Sequence, residues 1–273
     1  MTRCKILCLV TVILAFLLAC NAPSQPATTE PEPTTFPSAL PTHTPIPEPV
    51  ATNTPPPTNT PTPTAVPVEY QAAFGIDYAQ PELYLAQGEQ TQLSDPMVVD
   101  QFRADEQGMD QLEEVYQWLH RELEPYSDRG ASIGVATVDQ LLADQQMGGC
   151  HDWALVFAAL VRELGYPAVV ADSYSIAWME QFQAGQGGSH IGHVFVEVYL
   201  DGRWVLTDPT NGWYVEQGYD PADPVIPITG PIAGANQELY GFYVDFKGSD
   251  SWDYGIFSLR DLTEAMDTCL LYT

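Results

Sequence analysis

The stretch Gly148-Gly-Cys-His-Asp-Trp-Ala-Leu-Val-Phe-Ala-Ala-Leu-Val-Arg-Glu-Leu-Gly-Tyr-Pro167 sets a cysteine directly after two glycines and at the head of an apolar run. Trp153, Val156, Phe157, Leu160, Val161 and Leu164 recur at helical spacing, and Gly165 with Pro167 supplies a stop signal. The reading is a central, largely buried helix that begins at Cys150. The first turn of a helix has unpaired N–H groups and partial positive charge, so a thiol there ionises more readily and an oxyanion finds donors. Cys150 is thus a candidate nucleophile; read by itself, it is equally a small buried residue at a tight turn.

The second informative stretch, His193-Val-Phe-Val-Glu-Val-Tyr-Leu-Asp-Gly-Arg-Trp-Val-Leu-Thr-Asp-Pro-Thr210, holds two β-rich runs that meet at Asp201-Gly202, a strong hairpin signal. With a two-residue loop Leu200 pairs with Arg203, and that register sets Phe195 opposite Asp208 and His193 opposite Thr210. His193 and Asp208 then become diagonal neighbours on one sheet face, about 7 to 8 Å apart at the backbone and within reach of an imidazole–carboxylate hydrogen bond. A slip of one residue would put them on opposite faces. An aspartate held against one imidazole nitrogen orients the ring and supports its cation, while the other nitrogen can take a thiol proton. The plainer readings are a hydrogen-bonded histidine at a strand start and a turn aspartate before Pro209.

These two stretches resemble the core of the transglutaminase-like superfamily, in which a cysteine starts a helix, a histidine starts the next strand and an aspartate closes the following one. The likeness runs over about Gln111 to Thr210 and is most specific from Gly148 to Thr210. It implies a papain-like α+β fold, the central helix with Cys150 packed on an antiparallel sheet with His193 and Asp208. It further implies that Cys150 is the nucleophile, His193 the general base and acid, and Asp208 the residue that orients the histidine. The reaction implied is a thioester acyl-enzyme formed from an amide or peptide bond and released by water or an amine, as in cysteine peptidases, amidases and transglutaminases. Gly149 stands where better-known transglutaminases have Gln, and calcium activation is not implied. The alternative is a binding or assembly module that keeps the fold without catalysis.

Other residues near these motifs compete for roles. His190 would face away from His193's side of the strand, and the family pattern selects His193. His151 adjoins the nucleophile and either tunes it or lines the cleft. Gln145 and Gln146 are possible oxyanion donors beside the backbone N–H of Cys150. Cys150, His151, His190 and His193 do not match a usual structural zinc spacing, and no cofactor is expected.

Around the two motifs, Leu112, Val115, Tyr116, Leu119 and Leu123 predict a helix over Met109 to Leu123, and Leu141 and Leu142 a shorter one over Val138 to Gln145. Ala168 to Ala171 reads as a short strand, Ser173 to Ser189 as an insertion or loop, Leu239 to Phe246 as a strand and Ser258 to Met266 as a short helix. No chemistry is assigned beyond Asn211. Helices first and strands later argue for α+β layering.

The N-terminal quarter has a different character. Arg3 and Lys5 precede an apolar run from Ile6 to Leu18, shorter than the roughly 20 residues of a membrane-spanning helix, which gives a signal-peptide pattern over residues 1–19. Leu17-Leu-Ala-Cys20 resembles a bacterial lipobox, which implies cleavage before Cys20 and acylation of that residue as a membrane anchor. Residues 20–68 are rich in proline and threonine and poor in large apolar residues, so they read as a disordered stalk. In extended form it would reach on the order of 100 Å. Residues 69–273 hold enough apolar sequence for one domain.

Nine Lys and Arg against 36 acids give the 273-residue chain a formal charge of −27. Such a chain repels nucleic acid, so no nucleic-acid partner is expected. A protein or peptide substrate at the outer side of a membrane, met from a lipid anchor, is the expected setting. With Cys4 and Cys8 in the signal and Cys20 as anchor, Cys150 and Cys269 are left, which is no disulfide framework.

Overall fold

A computed structural model of the chain describes residues 71–103, 107–125, 132–186, 189–227 and 241–269, all within the unit Pro63–Thr273. The signal segment, Cys20 and the stalk lie outside the described residues, as do Leu239 and Tyr240. Two short 3-10 turns, Pro81–Tyr84 and Pro96–Phe102, precede helix α1, Met109–Glu122, whose Leu112, Val115 and Leu119 are buried. Helix α2, Val138–Asp144, starts at a capping box: Thr137 Oγ1 accepts from Gln140 N–H, and Gln140 Oε1 accepts from Thr137 N–H at 2.9 Å. Helix α3, Cys150–Glu163, follows, with every residue from His151 to Arg162 buried.

Six strands then form one wholly antiparallel sheet. They are β1, Ala168–Ser175; β2, Gly192–Leu200; β3, Arg203–Asp208; β4, Trp213–Val215; β5, Val225–Ile226; and β6, Phe242–Gly248. Their order is β4-β3-β2-β1-β6-β5. Helix α4, Ile176–Gln183, links β1 to β2, and α5, Leu259–Cys269, ends the described chain. The architecture is α+β, with the α3 helix laid on an antiparallel sheet.

Alternation along the strands explains this layering. Ala168, Val170, Val194, Val196, Val198 and Leu200 share one core with α1, α2 and α3. Ala171, Phe195, Leu206, Phe242 and Val244 point to the other side and form a second core with Ile226. A period of two on a sheet covered on both faces makes β1 buried at every position.

The hairpin turns at Asp201-Gly202, with φ of 51° and 81°, the left-handed values of a type I′ loop. Leu200 pairs with Arg203 and the register continues without a slip to Val196 and Thr207. The ladder stops there, because β3 ends at Asp208 and the chain turns at Pro209; Thr210 therefore does not extend the pairing as expected. Ser173 to Ser189 departs from a loop: β1 runs on through Ser175, whose Oγ accepts from Trp178 N–H, and α4 follows. Tyr174, Trp178 and Met266 bury this helix in a small core of their own, a contact that local sequence does not announce.

Candidate active site

The turn before α3 is held by a carboxylate that sequence reasoning passed over. Asp152, fully buried, accepts from the Gly148 N–H at 2.6 Å and from the Ser132 hydroxyl. Gly149 caps the helix through its carbonyl, which accepts from Asp152 N–H at 3.1 Å. Cys150 is a partly exposed free thiol. A side chain at Gly149 would meet nothing within 4 Å, so the space beside the thiol is open to an incoming group.

His193 enters from the first residues of β2. Gly192 lets β2 come this close to β1, because a Cβ there would lie 2.8 Å from the Ser173 carbonyl oxygen. His193 is only 4 % exposed, its ring packed edge-on to Phe195 with centroids 4.8 Å apart and against Phe242. Its Nε2 lies 2.9 Å from Asp208 Oδ2. That bond leaves Nδ1 for the thiol. Burial alone would lower the pKa of His193, but hydrogen bonds with Asp208 and Cys150, together with their charges, raise it to about 10. The three side chains expected from the sequence are thus brought together.

Asp208 is fixed from all sides. Oδ1 accepts from the backbone N–H groups of Thr210 at 3.0 Å and Asn211 at 3.1 Å, an Asx turn, and the Asn211 amide donates to Oδ2 at 2.8 Å. Asn211 Nδ2 is also 3.5 Å from His193 Nε2. Asn211 is a second residue that sequence reasoning missed; the run Asp-Pro-Thr-Asn-Gly after a strand was the available signal. Gly212, at φ +70°, closes the turn with its N–H on the Asp208 carbonyl at 2.8 Å. A Cβ at Gly212 would fall 2.1 Å from Tyr116 Cζ, so glycine is needed for both conformation and space.

The Asp208 turn is also tied to the helical layer. His120 Nε2 donates to the Pro209 carbonyl at 2.8 Å while its ring stacks on Trp153 at 4.3 Å and 5°. A 200 Å³ cleft with apolar walls lies beside this turn, between Leu112, Tyr116, Phe157, Asp208 and Trp213. A larger cavity of 640 Å³, at Trp204, Glu216 and Tyr219, is lined by none of the three candidate residues.

The competing residues go elsewhere. His190 Nε2 pairs with Asp267 Oδ1 at 2.8 Å and its ring leans on Trp178. Gln145, in the left-handed conformation after α2, turns its amide to the Glu122 carbonyl at 3.4 Å, and Gln146 is exposed. Neither glutamine is thus turned to the Cys150 N–H at the start of α3. His151 is buried, with Nδ1 3.5 Å from Asp152 Oδ1. Among the described residues, no three His, Cys, Asp or Glu side chains are grouped to hold a metal ion.

Residues 96–209 match the family model described as the transglutaminase-like superfamily. Among solved structures, the chain is similar to a protein from Cytophaga hutchinsonii named as a candidate cysteine protease, at 18% identity and a TM-score of 0.45, over 66% of this chain and 50% of that one. It is also similar to the periplasmic domain of TgpA from Pseudomonas aeruginosa bound to ethylmercury, at 23% identity and a TM-score of 0.36, over 50% of each chain. The chain thus spans about half the length of each of these structures. No curated protein matches it. Residues 96–209, which hold the helix that starts at Cys150 and the hairpin that ends at Asp208, are a domain of the transglutaminase-like superfamily.

Proposed function

We propose that this domain is a cysteine acyl-transfer enzyme acting on amide or peptide bonds. The observation that carries the reading is the His193–Asp208 bond of 2.9 Å on an imidazole that also engages Cys150. The Cys150 sulfur, as thiolate beside the imidazolium, attacks the carbonyl carbon, and the carbonyl oxygen gains charge against the Cys150 N–H. The C–N bond then breaks as His193 gives its proton to the departing nitrogen, leaving a thioester. Water or an amine attacks the thioester, His193 removes the nucleophile's proton, and the C–S bond breaks to return the thiolate–imidazolium pair. Asp208 keeps the ring in the tautomer and orientation both proton transfers need.

The setting is read from the sequence. Residues 1–19 act as a lipoprotein signal, Cys20 anchors the mature chain, residues 20–68 form a stalk, and residues 69–273 meet protein or peptide substrates outside the membrane. Among the described residues no helix is long and apolar enough to cross a membrane. Radiolabelled palmitate incorporation that is lost in Cys20→Ala tests the anchor; equal labelling of the variant sinks it.

For the enzyme, Cys150→Ala is expected to abolish turnover of peptide-amide substrates, and His193→Ala to remove the rapid alkylation of Cys150 by iodoacetamide at neutral pH. Full turnover in Cys150→Ala ends the reading. A Cys150 that alkylates no faster than Cys269 would shift the domain to the binding-module alternative.

A further inference from the structure

Among the described residues six buried side-chain polar atoms have no hydrogen-bond partner, and three of them stand together beside the nucleophile. His151 Nε2, Asp172 Oδ2 and the Tyr254 hydroxyl are each buried with no hydrogen-bond partner among the described residues. His151 follows Cys150 in the first turn of α3. Asp172 lies on β1, where its cross-strand neighbours are Val194 on β2 and Phe246 on β6. Paired residues share a sheet face, and Val194 packs in the core that includes α3, so Asp172 faces α3. The next residue, Ser173, is the partner of His193. Tyr254 stacks on Phe246 at 5.3 Å and 7°, which brings it over the same place.

A buried carboxylate with one oxygen left without a donor is costly, and natural domains seldom keep one without a use. Glu197 on β2 shows the ordinary solution in this fold, with Lys247, Tyr78 and Tyr219 all bonded to it. Asp172 accepts from the Ser173 backbone N–H and leaves Oδ2 without a donor. The ionisable groups whose charge reaches it are His151 on α3, Tyr254 after β6, His193 on the opposite face of neighbouring β2, and Asp245 on β6, whose own carboxylate accepts from the Tyr174 hydroxyl.

We propose that Asp172 is a positioning residue of the cysteine–histidine pair, a second carboxylate that, once ionised, favours the imidazolium of His193 and thereby the thiolate of Cys150. It acts through charge across the sheet, where Asp208 acts through a direct bond. Burial raises the Asp172 acid to about 6, with His151, the Ser173 N–H and His193 pulling it back and Asp245 pushing it further. Below that pH the residue is neutral and its hold on the imidazole is lost. Cys150 reactivity therefore falls through pH 6 for a reason separate from Asp208. This rests on the reading of Cys150 as the nucleophile.

The test uses the full chain with histidine labelled at ¹³Cε1 and assigned by His193→Gln, and follows the His193 resonance and the iodoacetamide rate of Cys150 from pH 4 to 9. Both are expected to inflect near pH 6 in the wild type. Asp172→Asn should remove both inflections and slow alkylation at pH 7.5 about tenfold, the loss of about one pKa unit of imidazolium preference. Persistence of the His193 inflection in that variant, or unchanged alkylation, overturns the proposal. If Cys150 is inert in the wild type, the nucleophile reading fails, and the resonance still decides whether Asp172 governs His193. If the variant does not fold, the ¹³Cγ resonance of Asp172 in the wild type decides: titration near 6 in step with His193 supports the proposal, and a carboxyl still ionised at pH 5 refutes it.

Discussion

Replacing Lys247 with Met should unfold this domain far more readily than an ordinary lysine substitution. The side chains of Lys247 and Glu197 are both fully buried and meet at 2.5 Å. All three Lys247 protons are used, on Glu197 Oε1, on the Tyr78 hydroxyl at 2.8 Å and on the Pro221 carbonyl at 2.8 Å. Tyr78 donates in turn to Glu197 Oε2 at 2.6 Å, and Tyr219 donates to Oε1. Removing the ammonium leaves Glu197 charged and partly unpaired in a dry core, which costs about 3 to 5 kcal/mol. For a domain of this size that is a fall in Tm of about 6 to 20 °C. Methionine keeps most of the volume, so packing contributes little to the difference. In the double variant Lys247→Met with Glu197→Gln no charge is stranded, and most of the lost stability should return. Urea and thermal unfolding followed by circular dichroism measure both variants. A single variant within about 1 kcal/mol of wild type, or a double variant no better than the single, would refute the account of this network.

Gly212→Ala should be poorly tolerated, because its Cβ would lie 2.1 Å from Tyr116 and its φ of +70° disfavours any side chain. The Asp208 turn must then shift, so Cys150 alkylation should slow along with a fall in Tm; a normal alkylation rate would show that the turn does not position His193. Asp172→Asn should stabilise the fold in a pH-dependent way. The folded acid is raised from 3.8 to about 6, so the native state holds this proton more tightly than the unfolded chain. Wild-type stability is therefore lost relative to the variant as pH rises from 3.8 through 6. The gap should grow from near zero to about 3 kcal/mol, and a pH-independent gap in urea unfolding would contradict this assignment.

The hairpin and the helix after Gly149 were legible because their signals are local. Asp201-Gly202 has the residue types a type I′ loop needs, and alternation then determined which side chains share a face, including His193 and Asp208. Helices α1 and α2 announced themselves by the spacing of their apolar residues. Helix α4 did not, since its eight residues are too few to show a period and Trp178 is buried in part by Met266 from a distant segment. With no chemistry assigned to Asn211 or beyond it, a part of the site was missed: Asn211 bonds Asp208, and Phe242, 49 positions from His193, packs against its ring.

Local sequence by itself thus determined the start of α3, the register of the hairpin, the left-handed loop and the α+β layering, since each follows from contacts between near neighbours. Only tertiary structure decided that the Cys150 thiol meets His193, that Ser132 and His120 tie the turns at Asp152 and Pro209 to other segments, and that Asp172 keeps an orphaned Oδ2 beneath α3. Those relations join residues on separate elements, and no period or short motif encodes the distance between them.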